Sequence, residues 1–518
     1  MKLPKFLRIL VIFLFVVIVL LPILAMLVVP SGSSNVALAP FQFDQRHLIL
    51  AQNSLLLAAA TTLFAVMIGV PFAFLCQRTL FFGRRLFTIL YLTPLLIPPY
   101  IQAIAWTRAW SWFGNYLPFD IYNIYGAILV LTLCYFPFVT LMTLTGLKSI
   151  DRPMEESSLL HHGAFRTLTG VSLPLCLPHI CCGALFVFIF AIIDFGVPDI
   201  FRLKVYPIEI FIQFSAFYDD KSAALLSYPL IIITVLCVIG LNRLMKNRAF
   251  INLGAGREKP ISYDLGRYQI LASGFCALVI GLAVMVPIAS LIRDAGALAN
   301  YTRALSTSAD QIVYSMVLAT LGGLATVSLA FPISYMIERS GEKHSGILEL
   351  ASLIPFAVPA ITLGIGMIKV WNRTGIDVIY TSSVIIMLGF VARYIPFAVR
   401  LASAGLKQIS PGLEESARMS TGSWARVMRK IVLPLCSPSL MAGFFITFVL
   451  SLGELGTTLL VIPPGRESIS LKIYNLMHYG AEQMVAALAL ILVGLIFFCS
   501  AIFLLGYKLV QRWLNAQN

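Results

Sequence analysis

Carboxylates, histidines and prolines gather in two polar stretches of this chain, RPMEESSLLHHGAFRTLTGVSLPLCLP from Arg152 to Pro178 and SPGLEESARMSTGSWARVMRKIVLPLCSP from Ser410 to Pro438. In each, a proline (Pro153, Pro411) precedes a pair of acids, Glu155 and Glu156 or Glu414 and Glu415. A glycine stands eight residues after the first acid (Gly163, Gly422), and a Leu-Pro step follows (Leu173-Pro174, Leu433-Pro434). Proline suits a helix start and cannot continue a helix from upstream. Acids in the first turn meet the positive end of the helix dipole, and glycine can end the helix in a left-handed conformation. The pattern predicts a short polar helix, broken at glycine, and its chemistry is docking rather than catalysis. His161 and His162 are adjacent and point in different directions on a helix, so they make no metal pair. The nine cysteines have neither metal-ligand spacing nor a disulfide framework. The phosphate loop G-x-x-x-x-G-K-[ST] does not occur, and the nearest string, SGEKHSG from Ser340, has the wrong spacing. We therefore expect no enzyme, and no metal or cofactor bound by the chain itself.

The elements that must position these stretches are apolar. Of 518 residues 59% are apolar and 12% charged, where a soluble domain has about one quarter charged. Crossing a hydrocarbon core of ~30 Å takes ~20 apolar residues. Twelve such runs occur, near 7–29, 50–76, 86–107, 124–147, 178–200, 223–245, 268–292, 311–336, 347–371, 382–406, 438–461 and 484–508. The expected fold is an all-α integral membrane protein of about 12 transmembrane helices. The net charge of +14 falls at the amino terminus, after every second run and at the carboxyl end. That distribution orients a chain in membrane lipid with both termini cytoplasmic, and it excludes a nucleic-acid partner. The first run is longer than a leader's apolar core of ~7–15 residues, and reads as a retained helix.

The chain repeats itself. Ser54, Pro71, Pro94, Pro98 and Trp110 match Ser315, Pro332, Pro355, Pro359 and Trp371, each 261 residues on. Pro137 and Lys148 match Pro396 and Lys407 at 259, and Pro178, Gly183, Asp194 and Gly196 match Pro438, Gly443, Glu454 and Gly456 at 260. Each copy holds six runs, so the two six-helix repeats are parallel in orientation, related by an axis along the membrane normal. Chain order divides the protein into a first half at 1–245 with its polar loop at 150–178, a charged, glycine-containing linker at 246–267, and a second half at 268–518 with its loop at 409–438. A pathway between two such halves is the natural expectation.

With its Glu-Glu-Ser, Gly and Leu-Pro elements, the doubled loop resembles the EAA loop of permeases in binding-protein-dependent importers of the ATP-binding cassette (ABC) family. The residues that carry the likeness are Glu155, Glu156, Gly163, Leu173 and Pro174, and Glu414, Glu415, Ala417, Gly422, Leu433 and Pro434. Both copies depart from the family pattern: the glycine comes one or two places late, and serine replaces one or both alanines. The resemblance implies that Glu155, Glu156, Gly163, Glu414, Glu415 and Gly422 form coupling helices. Their partners would be two ABC ATPase subunits, which bind and hydrolyse the ATP, and a periplasmic substrate-binding protein would deliver cargo. It also implies a place in the bacterial inner membrane. A single chain carrying both halves is similar to ferric-iron permeases, with permeases for thiamine, 2-aminoethylphosphonate and polyamines as alternatives. The segment GELGTTLLVIPPGRESISLKIYNLMHYGAEQMVAAL from Gly453 looks most like the ferric-iron group.

For the substrate path, Asp194 and Glu454 occupy equivalent places near the outer half of the fifth and eleventh runs, and ionisable groups inside a membrane face a cavity or a partner rather than lipid. A ferric ion, a hard cation, would favour such oxygen ligands. The competing reading is a helix-end carboxylate, since glycine follows two residues later in both copies. Tyr474, His478 and Tyr479 are expected on an outer loop, meeting either the binding protein or the interface. Prolines such as Pro94, Pro98, Pro355 and Pro359 mark either broken helices or close packing, with packing the simpler expectation. A major-facilitator-type secondary carrier also has twelve spans in two parallel halves. The acid its loop after the second span requires is missing from CQRTLFFGRRLF.

Overall fold

In the computed structural model, residues 3–27, 45–112, 120–245, 261–339 and 345–516 are described. Of the linker 246–267, residues 246–260 lie outside them. The described chain is helical apart from one pair of two-residue strands. Ten helices are long and apolar enough to cross a membrane, and two further bent pairs bring the total to as many as twelve. The all-α membrane architecture is as expected; four details differ from the expectation or add to it.

First, the third span of each copy is not straight. Arg84–Leu96 and Pro99–Trp110 meet at 98°, and Ser345–Ala357 and Ala360–Trp371 at 108°. The breaks fall at Pro98 and Pro359, whose extended backbone starts the second arm of each pair. Pro94 and Pro355 sit just upstream in short 3-10 turns. These prolines therefore break helices. A ring that removes an N–H and clashes with the preceding turn explains why the same bend recurs in both copies.

Second, the fifth span begins early. The helical segment Ala164–Ile192 and its counterpart Trp424–Leu452 run through the Leu-Pro steps without a break. Each contains a π-turn, Leu168–Ser172 or Met428–Val432, that ends two residues before the proline. The same arrangement occurs at Val16–Leu20 before Pro22 and Gly281–Met285 before Pro287. A wider turn moves aside the carbonyl that the ring would strike, although Pro71 and Pro332 are carried within helices without one. The matched turns, 265 residues apart, also extend the repeat to the first span of each copy.

Third, that first span does not pack with its own copy. One compact unit comprises Met1–Val36, Ile210–Ile231 and Ala295–Asn518, and the other Ala37–Glu209 and Ile232–Asp294. In the former, Leu298–Arg339, Val384–Lys407 and Trp424–Leu452 pack together. Phe15 and Val19 of the first span are buried among Ile333, Tyr335, Ile395 and Val432 of this group. In the latter, Gln45–Arg78, Ile124–Lys148 and Ala164–Ile192 make the same three-helix core. There Gln102 donates to the Ala283 carbonyl at 3.0 Å, and Ser290 to that of Ala105 at 2.8 Å. The units thus differ from the chain-order halves by exchange of their first spans and by the placement of Ile210–Ile231 with the second half's core.

Fourth, close approach fixes the exchanged helix. A Cβ on Gly366 would lie 2.1 Å from the Pro22 carbonyl oxygen, whereas one on Gly494 would meet nothing within 4 Å. Gly366→Ala should cost about 1–3 kcal/mol, as overpacking does. It should lower the melting temperature of the detergent-solubilised protein, and Gly494→Ala should leave it unchanged.

Candidate functional site

The two polar stretches fold as expected into short helices, Arg152–His161 and Pro411–Thr421, each with a proline in its first turn. Their first acids do more than complement a dipole. Glu155 and Glu414 are both fully buried. Glu155 pairs with Arg78 at 3.0 Å, and Glu414 with Arg339 at 2.8 Å. The arginines end the second span of each copy, Gln45–Arg78 and Leu298–Arg339, and stand 261 residues apart. Each guanidinium also donates at 2.7 Å to the last turn of the fourth span, Arg78 to the Leu147 carbonyl and Arg339 to that of Leu406. Arg339 reaches Ile409 as well. One planar cation thus joins three chain ends: a helix C-terminus that it terminates, a second C-terminus that it caps, and the first turn of the polar helix. Guanidinium suits this because its five donors are fixed in a fork and its charge is permanent.

A hydroxyl completes each carboxylate, from a different place. Ser172 donates to Glu155 at 2.7 Å, and Tyr335 to Glu414 at 2.9 Å. The positions that match Ser172 and Tyr335 in the other copy are Val432 and Phe74. The donor has moved from one packed element to another while the carboxylate kept its company.

The second acids face outward. Glu156 pairs with Arg152 at 2.6 Å, with both side chains nearly half exposed; such a pair contributes about 0.3–0.5 kcal/mol. Glu415 is exposed, as are His161 and His162. The glycines differ from expectation in one copy. Gly422 is left-handed, at φ 63°, and closes its helix as predicted. Gly163 has φ −67° and ψ 166°, so it does not end the first helix in a left-handed turn; it is the extended residue that starts the next helix, Ala164–Thr167. A Cβ on either glycine would meet nothing within 4 Å.

Asp194 and Glu454 lie beyond the ends of their spans, not within them. Asp194 accepts from the Val197 N–H at 2.8 Å and from the Tyr135 hydroxyl at 3.2 Å. Glu454 accepts from the N–H groups of Thr457 and Thr458 at 2.7 and 2.8 Å, and from the Thr458 hydroxyl. Both carboxylates satisfy the first turn of a short helix, Gly196–Ile200 or Gly456–Val461, which is the competing reading of the sequence. Their glycines allow close approach: a Cβ would lie 2.9 Å from that of Tyr100 or 2.6 Å from that of Ala360. Arg393, which matches Cys134 of the first copy, stands 4.0 Å from Glu454. Tyr474 is not on a loop: it is buried in the helix Ile469–His478, and its carbonyl lies 2.9 Å from His478 Nδ1. His478 ends that helix, and Tyr479 is exposed. Among the described residues no group of three or more His, Cys, Asp or Glu could hold a metal ion.

The family described as the binding-protein-dependent transport system inner membrane component matches residues 65–250 and again 295–515. The chain belongs to this family. It is a multi-pass permease of the ABC importer type, with both permease domains on one polypeptide. It is 26% identical over 476 residues to the Fe(3+)-transport system permease protein FbpB 2 of Haemophilus influenzae, covering 89% of this chain and 90% of that one. It is 25% identical to the ferric transport system permease protein FbpB of Actinobacillus pleuropneumoniae, over 85% of this chain and 68% of that one. A third relative, the putative 2-aminoethylphosphonate transport system permease protein PhnV of Salmonella choleraesuis, is 25% identical over 218 residues, or 42% of this chain and 80% of its own. The family implies ATPase and binding-protein partners for the permease.

Residue types and spacing found the acids of the permease loops but not Arg78, Arg339, Ser172 or Tyr335. The available signal was the repeat: a basic residue ends the second span of both copies in the same register. Removing one member of a buried pair strands the other at a cost of about 3–5 kcal/mol. Arg339→Met alone should therefore loosen the helix Pro411–Thr421, read as faster hydrogen exchange there. Arg339→Met with Glu414→Leu and Tyr335→Phe removes the buried charge and phenol together, leaving only the Leu406 and Ile409 carbonyls without their donor, and should return most of the protection.

Proposed function

We propose that this permease couples ATP binding on two separate ATPase subunits to the import of ferric iron, received from a periplasmic binding protein and released to the cytoplasm by alternating access. The observation that carries the coupling is a matched set of exposed apolar side chains on otherwise polar helices. Met154 matches Leu413 and Leu160 matches Met419, each 259 residues apart. Leu160 is 84% exposed and Met419 88%. Two large apolar groups beside an outward acid, on a helix held from beneath by a buried ion pair, suit insertion into an apolar cleft. Two such helices suit two copies of one partner.

On this reading ATP is bound and hydrolysed on the partner subunits. Their closure is passed through the coupling helices to the arginine clamps, and from there to the second and fourth spans of each half. The two nucleotide states must bind two permease conformations with different affinity, since a ligand shifts an equilibrium only by its differential affinity. The reading has the chain in the inner membrane of a bacterium with its coupling helices and both termini on the cytoplasmic side. Ferric iron is supported by the relatives named for it, one of them similar over 89% of this chain. Asp194, half-buried, offers the hard oxygen such a cation favours. Glu454 shapes the opposite copy's turn, with Arg393 beside it. Exposed Tyr479 and His478, above the buried ring of Tyr474, belong to the contact with the binding protein.

The test is uptake of radiolabelled ferric iron by cells holding the permease with its ATPase and binding protein. Leu160→Asp with Met419→Asp changes two exposed positions and should leave the permease level in the membrane equal. Uptake should fall at least ~tenfold, the effect of losing ~1.4 kcal/mol of docking energy, and the ATPase should cease to co-purify. Unimpaired uptake would make the two helices mere connectors. A wild type that takes up no iron would end the iron assignment, with 2-aminoethylphosphonate and polyamines to be assayed next.

A further inference from the structure

The short parallel strand pair joins Thr79–Leu80, directly after Arg78, to Tyr263–Asp264 of the linker. Its register carries the Tyr263 ring onto Phe74, with centroids 6.2 Å apart and planes at 24°. Phe74 is the residue that matches Tyr335, the phenol that donates to Glu414 in the other copy. The first copy therefore lacks a phenol at this point of its own span, and the linker brings one against the ring that stands there.

That phenol is poised but unengaged. The Tyr263 hydroxyl is buried and takes part in no hydrogen bond. Glu155 Oε2 is also buried without a hydrogen bond, facing the guanidinium of Arg78 at 3.0 Å while Oε1 takes the Ser172 hydroxyl. Burial, and then the Glu155 charge, push the Tyr263 phenol above its ordinary value, with Arg78 opposing. The hydroxyl consequently stays protonated and able to donate. Buried polar groups are almost always paired, so a phenol left without a partner near an ion pair whose carboxylate oxygen takes no hydrogen bond requires an account.

We propose that Tyr263 is a positioning residue for the first coupling helix: its hydroxyl donates to Glu155 Oε2 in one conformation of the transport cycle, so that the linker supplies in the first half the phenol that Tyr335 supplies in the second. The inference rests on the coupling reading of the two helices. It makes the linker a working part of one coupling site rather than a tether. Among the described residues, the linker's phenol serves the first coupling helix.

Tyr263→Phe tests this because it keeps the ring on Phe74 and removes only the hydroxyl. If the hydroxyl is idle, losing an unpaired buried group is neutral or stabilising. If it donates to a carboxylate, the loss is that of a charged hydrogen bond, enough for a roughly tenfold effect. In the assembled transporter, Tyr263→Phe should reduce iron moved per ATP hydrolysed by about that factor. Hydrogen exchange should quicken in Arg152–His161 and stay unchanged in Pro411–Thr421. Adding Phe74→Tyr should restore both, since it rebuilds the arrangement of the other copy. Wild-type transport per ATP and unchanged exchange in Tyr263→Phe would overturn the proposal, as would equal quickening of both helices. Such a result, obtained while Leu160→Asp with Met419→Asp still abolishes docking, would leave the coupling reading intact; if docking also survives that double change, the coupling reading itself has failed.

Discussion

A buried guanidinium at the end of the second span is the interaction on which the rest of each unit depends. The second and fourth spans pack along their length, but the short helix has little else to hold it in register with their ends. The short helix is polar, the loop before it is brief, and the span after it starts with a π-turn. An unpaired carboxylate in that position would draw in water or protonate. The arginine therefore does more than add stability. It makes burial of the acid conditional on the span end and the short polar helix meeting in one geometry, and well-packed apolar residues could replace the pair without that geometric demand.

Much of this architecture was legible in the sequence because its signals are compositional and periodic. Apolar runs of the right length gave the spans, and matched prolines gave the repeat. The acid pairs after matched prolines marked the short polar helices. What stayed hidden depends on contacts between segments distant in sequence. Nothing about Arg78 or Arg339 distinguishes a buried clamp from the many basic residues that orient a membrane protein. The exchange of first spans is equally silent, since Lys5–Leu27 has the same composition whichever core it covers. Gly163 and Gly422 look alike in sequence, yet one is left-handed and the other extended, because φ is set by how the following helix starts. Pro98 and Pro359 could have been read more boldly: prolines separated by three residues in both copies leave little room for a straight helix.

Differences between the copies show which features are constrained. The carboxylate, the guanidinium and the capped carbonyl recur at equivalent positions, and their geometry recurs with them. The hydroxyl donors do not: Ser172 faces Val432 in the alignment, and Phe74 faces Tyr335. Such compensation is expected where the carboxylate's need for a donor is fixed but its source is not. Around Asp194 and Glu454 the pattern is similar. Tyr135 donates to Asp194, whereas the matching Tyr394 donates to the Leu450 carbonyl, and Arg393 stands beside Glu454 instead. The longer carboxylate accepts from the N–H groups of Thr457 and Thr458, the shorter from that of Val197. The two copies are thus equivalent in scaffold and unequal in charge around the membrane-end turns.

That inequality bears on how a fused permease differs from a pair of identical subunits. Identical halves must respond identically to identical partners, because every contact on one is present on the other. Once both halves lie on one chain, each can diverge, and Met154 with Leu160 against Leu413 with Met419 shows the exposed apolar face of the short helices kept in type. The linker can then act on one side only, as the strand pair at Thr79 and Tyr263 allows. The buried clamp makes such one-sided control physically reasonable. Its members are desolvated, so a change of one hydrogen bond there is felt far more strongly than the same change at the exposed Arg152–Glu156 pair, where solvent screens the interaction.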